Sequence, residues 1–391
     1  MRFTLLFIFI SQLLFSQKVK FESDINVAFD KAKKENKLVF VEYYNSTCTI
    51  CLSIEPLFDN AEMADFYNQH FVSYKINTRD GMKSKDSLFM ASQKLKFQGV
   101  PFFLFFDTER NFVHYSGAKA EVDYLINIGK KALNPEERTG SLAKKYNSGD
   151  RSIKTLYSYS DLVQLYQDVD LCNTISNELY QVYPKENLKN NQSYLILKNT
   201  VNHIDNGFFQ YWYEHLDDLK DFEKGAKKGT EIKVLEKILL ESIQKDKDKW
   251  DLAKIQKVKA YTIGLGLSKT GNDFLWEEES KALKNEKKSV ELFQLMSELL
   301  EENKNNVYGT LFITEFYLKL FNNKVELEKL SLELDHLKSK EMEPEQKGDW
   351  FLQKLIILQK LQQKEAFLKL KNEALTFYKQ NQLDLNLIEN L

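Results

Sequence analysis

The stretch Leu38-Val39-Phe40-Val41-Glu42-Tyr43-Tyr44-Asn45-Ser46-Thr47-Cys48-Thr49-Ile50-Cys51 joins a β-rich run to two cysteines three positions apart. Val, Phe and Tyr side chains in so short a run predict a strand over Leu38 to Tyr44. The segment after it has helical spacing and places the cysteines where a helix begins. A thiol at a helix N-terminus faces unpaired backbone N–H groups and the positive end of the macrodipole, both of which favour thiolate. Cys48 is therefore read as the nucleophile. Cys51 lies one helical turn on, placed to attack a mixed disulfide formed at Cys48. The same spacing is also half of a zinc site, but the neighbouring sequence adds only His70 and His114, with no second C-x-x-C and no H-x-x-x-H. A structural disulfide is the other alternative; it would close a small loop, whose entropic stabilisation is modest.

Outward from this stretch, Ser23 to Asn36 carries Ile25, Val27, Ala28, Phe29 and Ala32 near helical spacing, with Ser23 as a candidate N-cap. Phe71 to Ile76, Phe102 to Phe106 and Phe112 to Tyr115 predict further strands. Helices are expected over Cys51 to Asn68, Ser84 to Leu95 and Glu121 to Ala132, and Asn134-Pro135 ends the last of them. The order α, β, α, β, α, β, β, α implies a central mixed sheet with helices on both faces.

From about Arg138 to Leu391 no strand pattern is present. Apolar residues repeat at three and four, as in Leu292, Leu295, Met296 and Leu299, or Leu358, Leu361, Leu368, Phe377 and Tyr378. Polar breaks at 147–150, 184–187, 269–272 and 303–306 suit turns between antiparallel helices. The expectation is an all-α region of helical hairpins or a bundle, without a clean tetratricopeptide pattern. Cys172 is read as a small buried residue, with a redox partner for Cys48 as the minority alternative. The aromatic run Phe208 to Tyr213 is read as helical core in preference to a peptide groove.

With 391 residues the chain exceeds one hydrophobic core. Lys plus Arg number 55 against 57 Asp plus Glu, so no net field draws it to nucleic acid or to anionic lipid. Only 14 Gly and 5 Pro are present, fewer than a turn-rich sheet protein of this length needs, so helix should dominate. Met1-Arg2 followed by the apolar run Phe3 to Ile10 and by Ser16 reads as a signal peptide, with a retained anchor as the alternative. The expected organisation is a signal peptide at 1–16, a sheet-containing domain at 17–134 and an all-helical domain at 135–391. Localisation is then periplasmic or extracellular, with no stable membrane insertion after signal cleavage.

Taken together, these marks resemble the thioredoxin superfamily, especially secreted thioredoxin-like proteins with a C-terminal helical extension. The likeness covers residues 22 to 133. Leu38 to Tyr44 is similar to the family strand that enters the active site, and Cys48 and Cys51 to its redox pair. Pro56 corresponds to the proline that kinks the active-site helix, and Gly99-Val100-Pro101 to the loop whose proline is cis. Ser116-Gly117-Ala118 resembles the segment after the last strand. The resemblance implies that Glu42 is the buried acid that accepts the proton of Cys51, and that Lys75 is the lysine beside it. It further implies that Val100 and Pro101, with Thr47 at the tryptophan position of the family, border the substrate. Thr49-Ile50 differs from the Gly-Pro of reducing members and from the Pro-His or Gly-His of oxidising and isomerising ones, and so does not set a direction of electron flow.

The implied activity is that of a thiol-disulfide oxidoreductase acting on protein or peptide thiols and disulfides, served by an upstream redox partner. No dissociable cofactor and no metal are expected, because the cysteine pair carries the electrons. The alternative is a non-catalytic peptide-binding or scaffold protein in which the helical domain recruits partners.

Overall fold

The computed structural model describes residues 18–391 except 80, 81 and 98. The expected signal peptide at 1–16 lies outside the described residues. The chain divides into two compact units, the division falling between Ile238 and Leu239.

In the first unit, helix α1 (Ile25–Glu35) leads into strand β1 (Leu38–Tyr44). Its N-cap is Asp24, whose side chain accepts from Asn26 N–H, and not Ser23. Asp24 immediately precedes the first helical residue, so its carboxylate reaches the orphan N–H, whereas Ser23 stands one position too far out. Next come α2 (Thr49–Ile54), a 3₁₀ turn (Glu55–Asp59) and α3 (Ala61–His70). The single helix expected over 51–68 is thus three pieces. Pro56 opens the 3₁₀ turn, and Asn60 restarts the helix by accepting from Met63 N–H at 3.1 Å. Strand β2 (Phe71–Asn77), α4 (Ser84–Gln93), β3 (Phe102–Phe106), β4 (Phe112–Gly117) and α5 (Val122–Leu133) complete the sheet-containing part.

The strands lie in the order β2-β1-β3-β4, with β1 parallel to β2 and the other neighbours antiparallel. On one face, Phe40, Phe103 and Phe105 are fully buried with Ile54, Phe58, Tyr67 and Leu125 beneath α2, α3 and α5. Each such phenylalanine contributes about 1.5 to 3 kcal/mol relative to exposure. The opposite face is covered by α1 and α4, where the Phe29 and Phe89 rings meet Phe106 at 6.3 and 4.9 Å. Residues 18–22 run along the outer edge of β2, with Glu22 N–H bonded to Ser73 O at 2.9 Å, and so cover an otherwise open edge.

The first unit continues in helices α6 (Leu142–Asn147), α7 (Ile153–Tyr166), α8 (Val169–Val182), α9 (Asn191–Thr200) and α10 (Gly207–Glu214). In α10, Phe208, Phe209 and Trp212 are fully buried, so this aromatic run is core. Helix α11 (Ile232–Asp246) crosses the boundary between the units.

The second unit is helical among the described residues: α12 (Leu252–Gly264), α13 (Asn272–Asn285), α14 (Ser289–Asn303), α15 (Val307–Leu320), α16 (Lys324–Leu337), α17 (Pro344–Lys360), α18 (Lys364–Gln380) and α19 (Asn386–Glu389). Successive helices pack on one another as hairpins. Leu292, Leu295, Met296 and Leu299 share one core with Tyr317, Trp350 and Tyr378. Leu368, grouped with that apolar repeat in the sequence, is 61% exposed, because α18 turns it to solvent. No helix of the described residues is long and apolar enough to cross a membrane.

Candidate active site

Strand β1 ends in a turn built on Asn45. Its side-chain oxygen accepts from Thr47 N–H at 2.9 Å and from the Thr47 hydroxyl at 2.8 Å, while its carbonyl accepts from Cys48 N–H at 3.0 Å. This Asx turn delivers Cys48 to the N-cap of α2. Cys48 is partly exposed and its Sγ accepts from Cys51 N–H at 3.5 Å. That hydrogen bond stabilises the thiolate and holds the Cys48 thiol below its ordinary range. Cys51, one turn on, is 3% exposed. Burial pushes its thiol up to about 11. The two sulfurs therefore differ in kind: one is partly exposed and favoured as thiolate, the other buried and held protonated.

Pro101 follows a cis peptide bond from Val100. The Val100 carbonyl oxygen lies 3.9 Å from Cys48 Sγ and accepts from its S–H. Thr47 is exposed beside Cys48. Thus the residues placed by sequence at the substrate border, Thr47, Val100 and Pro101, are brought to the accessible cysteine by two separate loops.

Glu42 is fully buried inside β1, opposite Lys75 on β2 and Phe103 on β3. The Lys75 ammonium is 3.2 Å from Glu42 Oε2, yet neither Glu42 oxygen accepts a well-aligned hydrogen bond. Burial raises the Glu42 carboxyl to about 7, against the opposing pull of Lys75. Cys51 feels the field of Glu42. A carboxyl that titrates near neutrality beside a buried thiol is suited to take up and return a proton.

Two features of the site were not foreseen. Glu55, the C-cap of α2 and first residue of the 3₁₀ turn, accepts a 2.5 Å hydrogen bond from Lys75. Phe21, Phe58 and Tyr44 surround the Lys75 ammonium at 4.4, 4.5 and 5.6 Å from their ring centres. The signal available in the sequence was the i, i+4 spacing of Cys51 and Glu55, which sets them one turn apart.

Cys172 in α8 is fully buried, with Asn202 Nδ2 and Ser160 Oγ each 3.2 Å from its sulfur. Burial holds this thiol above its ordinary range, which marks it as a packing residue. Among the described residues no three His, Cys, Asp or Glu side chains form a candidate metal cluster.

Residues 12–122 match the family model Thioredox_DsbH, described as a protein of unknown function, DUF255. The N-terminal domain is thioredoxin-like. This thioredoxin-like domain carries the sheet, the cysteine pair and the cis-proline loop, and is followed by a long helical extension. A stretch of 64 residues, 16% of the chain, is 41% identical to spermatogenesis-associated protein 20 of Rattus norvegicus. The matched stretch spans 8% of that rat protein.

Proposed function

We propose that the protein is a thiol-disulfide oxidoreductase that reduces disulfides of protein substrates through Cys48 and Cys51. The observation that carries this reading is the asymmetry of the pair: an accessible sulfur stabilised as thiolate stands one turn before a buried, protonated one. In the forward step, the Cys48 thiolate attacks one sulfur of a substrate disulfide. A Cys48–substrate disulfide forms and the other substrate sulfur leaves as a thiolate. Glu42 then takes the Cys51 proton, and the Cys51 sulfur attacks Cys48 Sγ. The Cys48–Cys51 disulfide forms and the second substrate thiolate leaves, drawing a proton from Glu42. The protein pair is oxidised by two electrons and the substrate disulfide is reduced by two; an upstream dithiol restores the pair.

Ile50 and Leu52, 51% and 55% exposed beside the cysteines, favour polypeptide substrates with apolar residues near the disulfide. The apolar N-terminal run supports work in a periplasmic or extracellular compartment, where such disulfides occur. The test is reduction of a protein disulfide by the full chain with dithiothreitol as electron donor. Cys48→Ser is expected to lower turnover at least about 100-fold, and Cys51→Ser to trap a mixed disulfide visible by intact mass. Turnover unchanged in Cys48→Ser would refute the reading and favour peptide docking without chemistry.

A further inference from the structure

Lys75 is shared between two carboxylates of unequal standing. Glu42 is fully buried and Glu55 has a 56% exposed side chain, yet the aligned, shorter bond from Lys75 goes to Glu55. The ammonium cannot roam, because Phe21 and Phe58 flank it within 4.5 Å of their ring centres and Tyr44 closes a third side. Its remaining freedom is therefore a choice of anion: inward to Glu42 or outward to Glu55. Lys75 remains 3.2 Å from Glu42 Oε2, but with its aligned bond given to Glu55 both oxygens of Glu42 stay without a hydrogen bond.

We propose that Glu55 is a positioning residue that shares the Lys75 ammonium with Glu42, loosening its hold on the buried carboxyl and so keeping that carboxyl able to exchange a proton with Cys51. The catalytic consequence rests on the redox reading above; the electrostatic arrangement does not. The charged and titratable groups facing Glu42 are Lys75 from β2, Glu55 from the 3₁₀ turn, Cys51 from α2 and Tyr44 from its own strand. In the covering N-terminal segment, Lys18 pairs with Asp59 and Glu22 with Lys31, and Lys20 is exposed. With Glu55 neutral, Lys75 has one anionic partner left, and the Glu42 carboxylate gains what Glu55 gave up.

The experiment is a carboxyl-carbon NMR titration of Glu42 in the full chain, for Glu55→Gln, Lys75→Met and the double variant, with no substrate present. Gln is nearly isosteric at this exposed position, so the fold is retained. Glu55→Gln is expected to move the Glu42 midpoint down by about one pH unit. Lys75→Met is expected to move it up, and adding Glu55→Gln to Lys75→Met to change it little. An unchanged midpoint in Glu55→Gln overturns the proposal. So does an equal shift with and without Lys75, which would make Glu55 act by its own field alone. Because no turnover is measured, a protein without reductase activity would sink the redox reading and leave this outcome separately readable.

Discussion

A carboxyl group inside an apolar strand is expensive, and at Glu42 the cost depends on pH. Its folded-state value of about 7 stands above the ordinary 4.5, so the folded protein prefers the protonated form. The favourable contribution is then fully present below about pH 4.5 and is lost as pH rises towards 7. A shift of about 2.5 units corresponds to about 3 kcal/mol of stability lost over that window. Glu42→Gln is expected to remove this loss. Urea unfolding at pH 5 and pH 8 checks it: the variant should gain on the native protein at pH 8 by up to about 3 kcal/mol and by much less at pH 5. A native protein whose stability does not fall relative to the variant between those values would contradict a buried carboxyl raised by desolvation. At this scale the sequence was informative about identity and poor about surroundings. Cys48 and Cys51 were legible because the chemistry of the pair is written in one short stretch. Glu55 was not, since its importance comes from Lys75, which lies twenty positions away on strand β2.

Elements show where local rules compete. The strands were legible because β-branched and aromatic residues crowd into short runs bounded by polar turns. The single helix that the sequence suggests after the cysteines is broken, because apolar spacing continues from α2 into α3 while Pro56 and Asn60 interrupt the hydrogen-bond ladder between them. The interruption lets α2 end beside the sheet and α3 begin in a new direction with its own cap. Asn60→Ala removes the acceptor for Met63 N–H and is expected to cost about 1 kcal/mol. A chemical-denaturation midpoint unchanged within error would mean that the cap is satisfied in another way. The side chains on the two faces of β1 alternate as the pleat requires, which places Glu42 with Phe40 on the α3 and α5 side.

Across the whole molecule, the sheet is not an isolated body within its unit. The Tyr115 hydroxyl on β4 donates a 2.5 Å hydrogen bond to Asp161 of α7, and Lys96 N–H bonds Leu165 O at 2.8 Å. Burial raises the Asp161 carboxyl above its usual range, while the Tyr115 bond pulls it back. Tyr115→Phe leaves that acid without its donor and is expected to cost about 1 to 3 kcal/mol. Hydrogen exchange offers the sharper reading, with protection falling in both β4 and α7. Loss confined to one of them would show that the bond does not tie the two together.

The order of strands and helices, the cysteine pair and the long helical region follow from residue types and their spacing alone, because propensity and periodicity act over a few neighbours. Which carboxylate holds Lys75, which face hides Glu42, and which helix receives Tyr115 were decided by tertiary structure. Those outcomes depend on desolvation and on distances between segments far apart in the chain, and no local pattern encodes either.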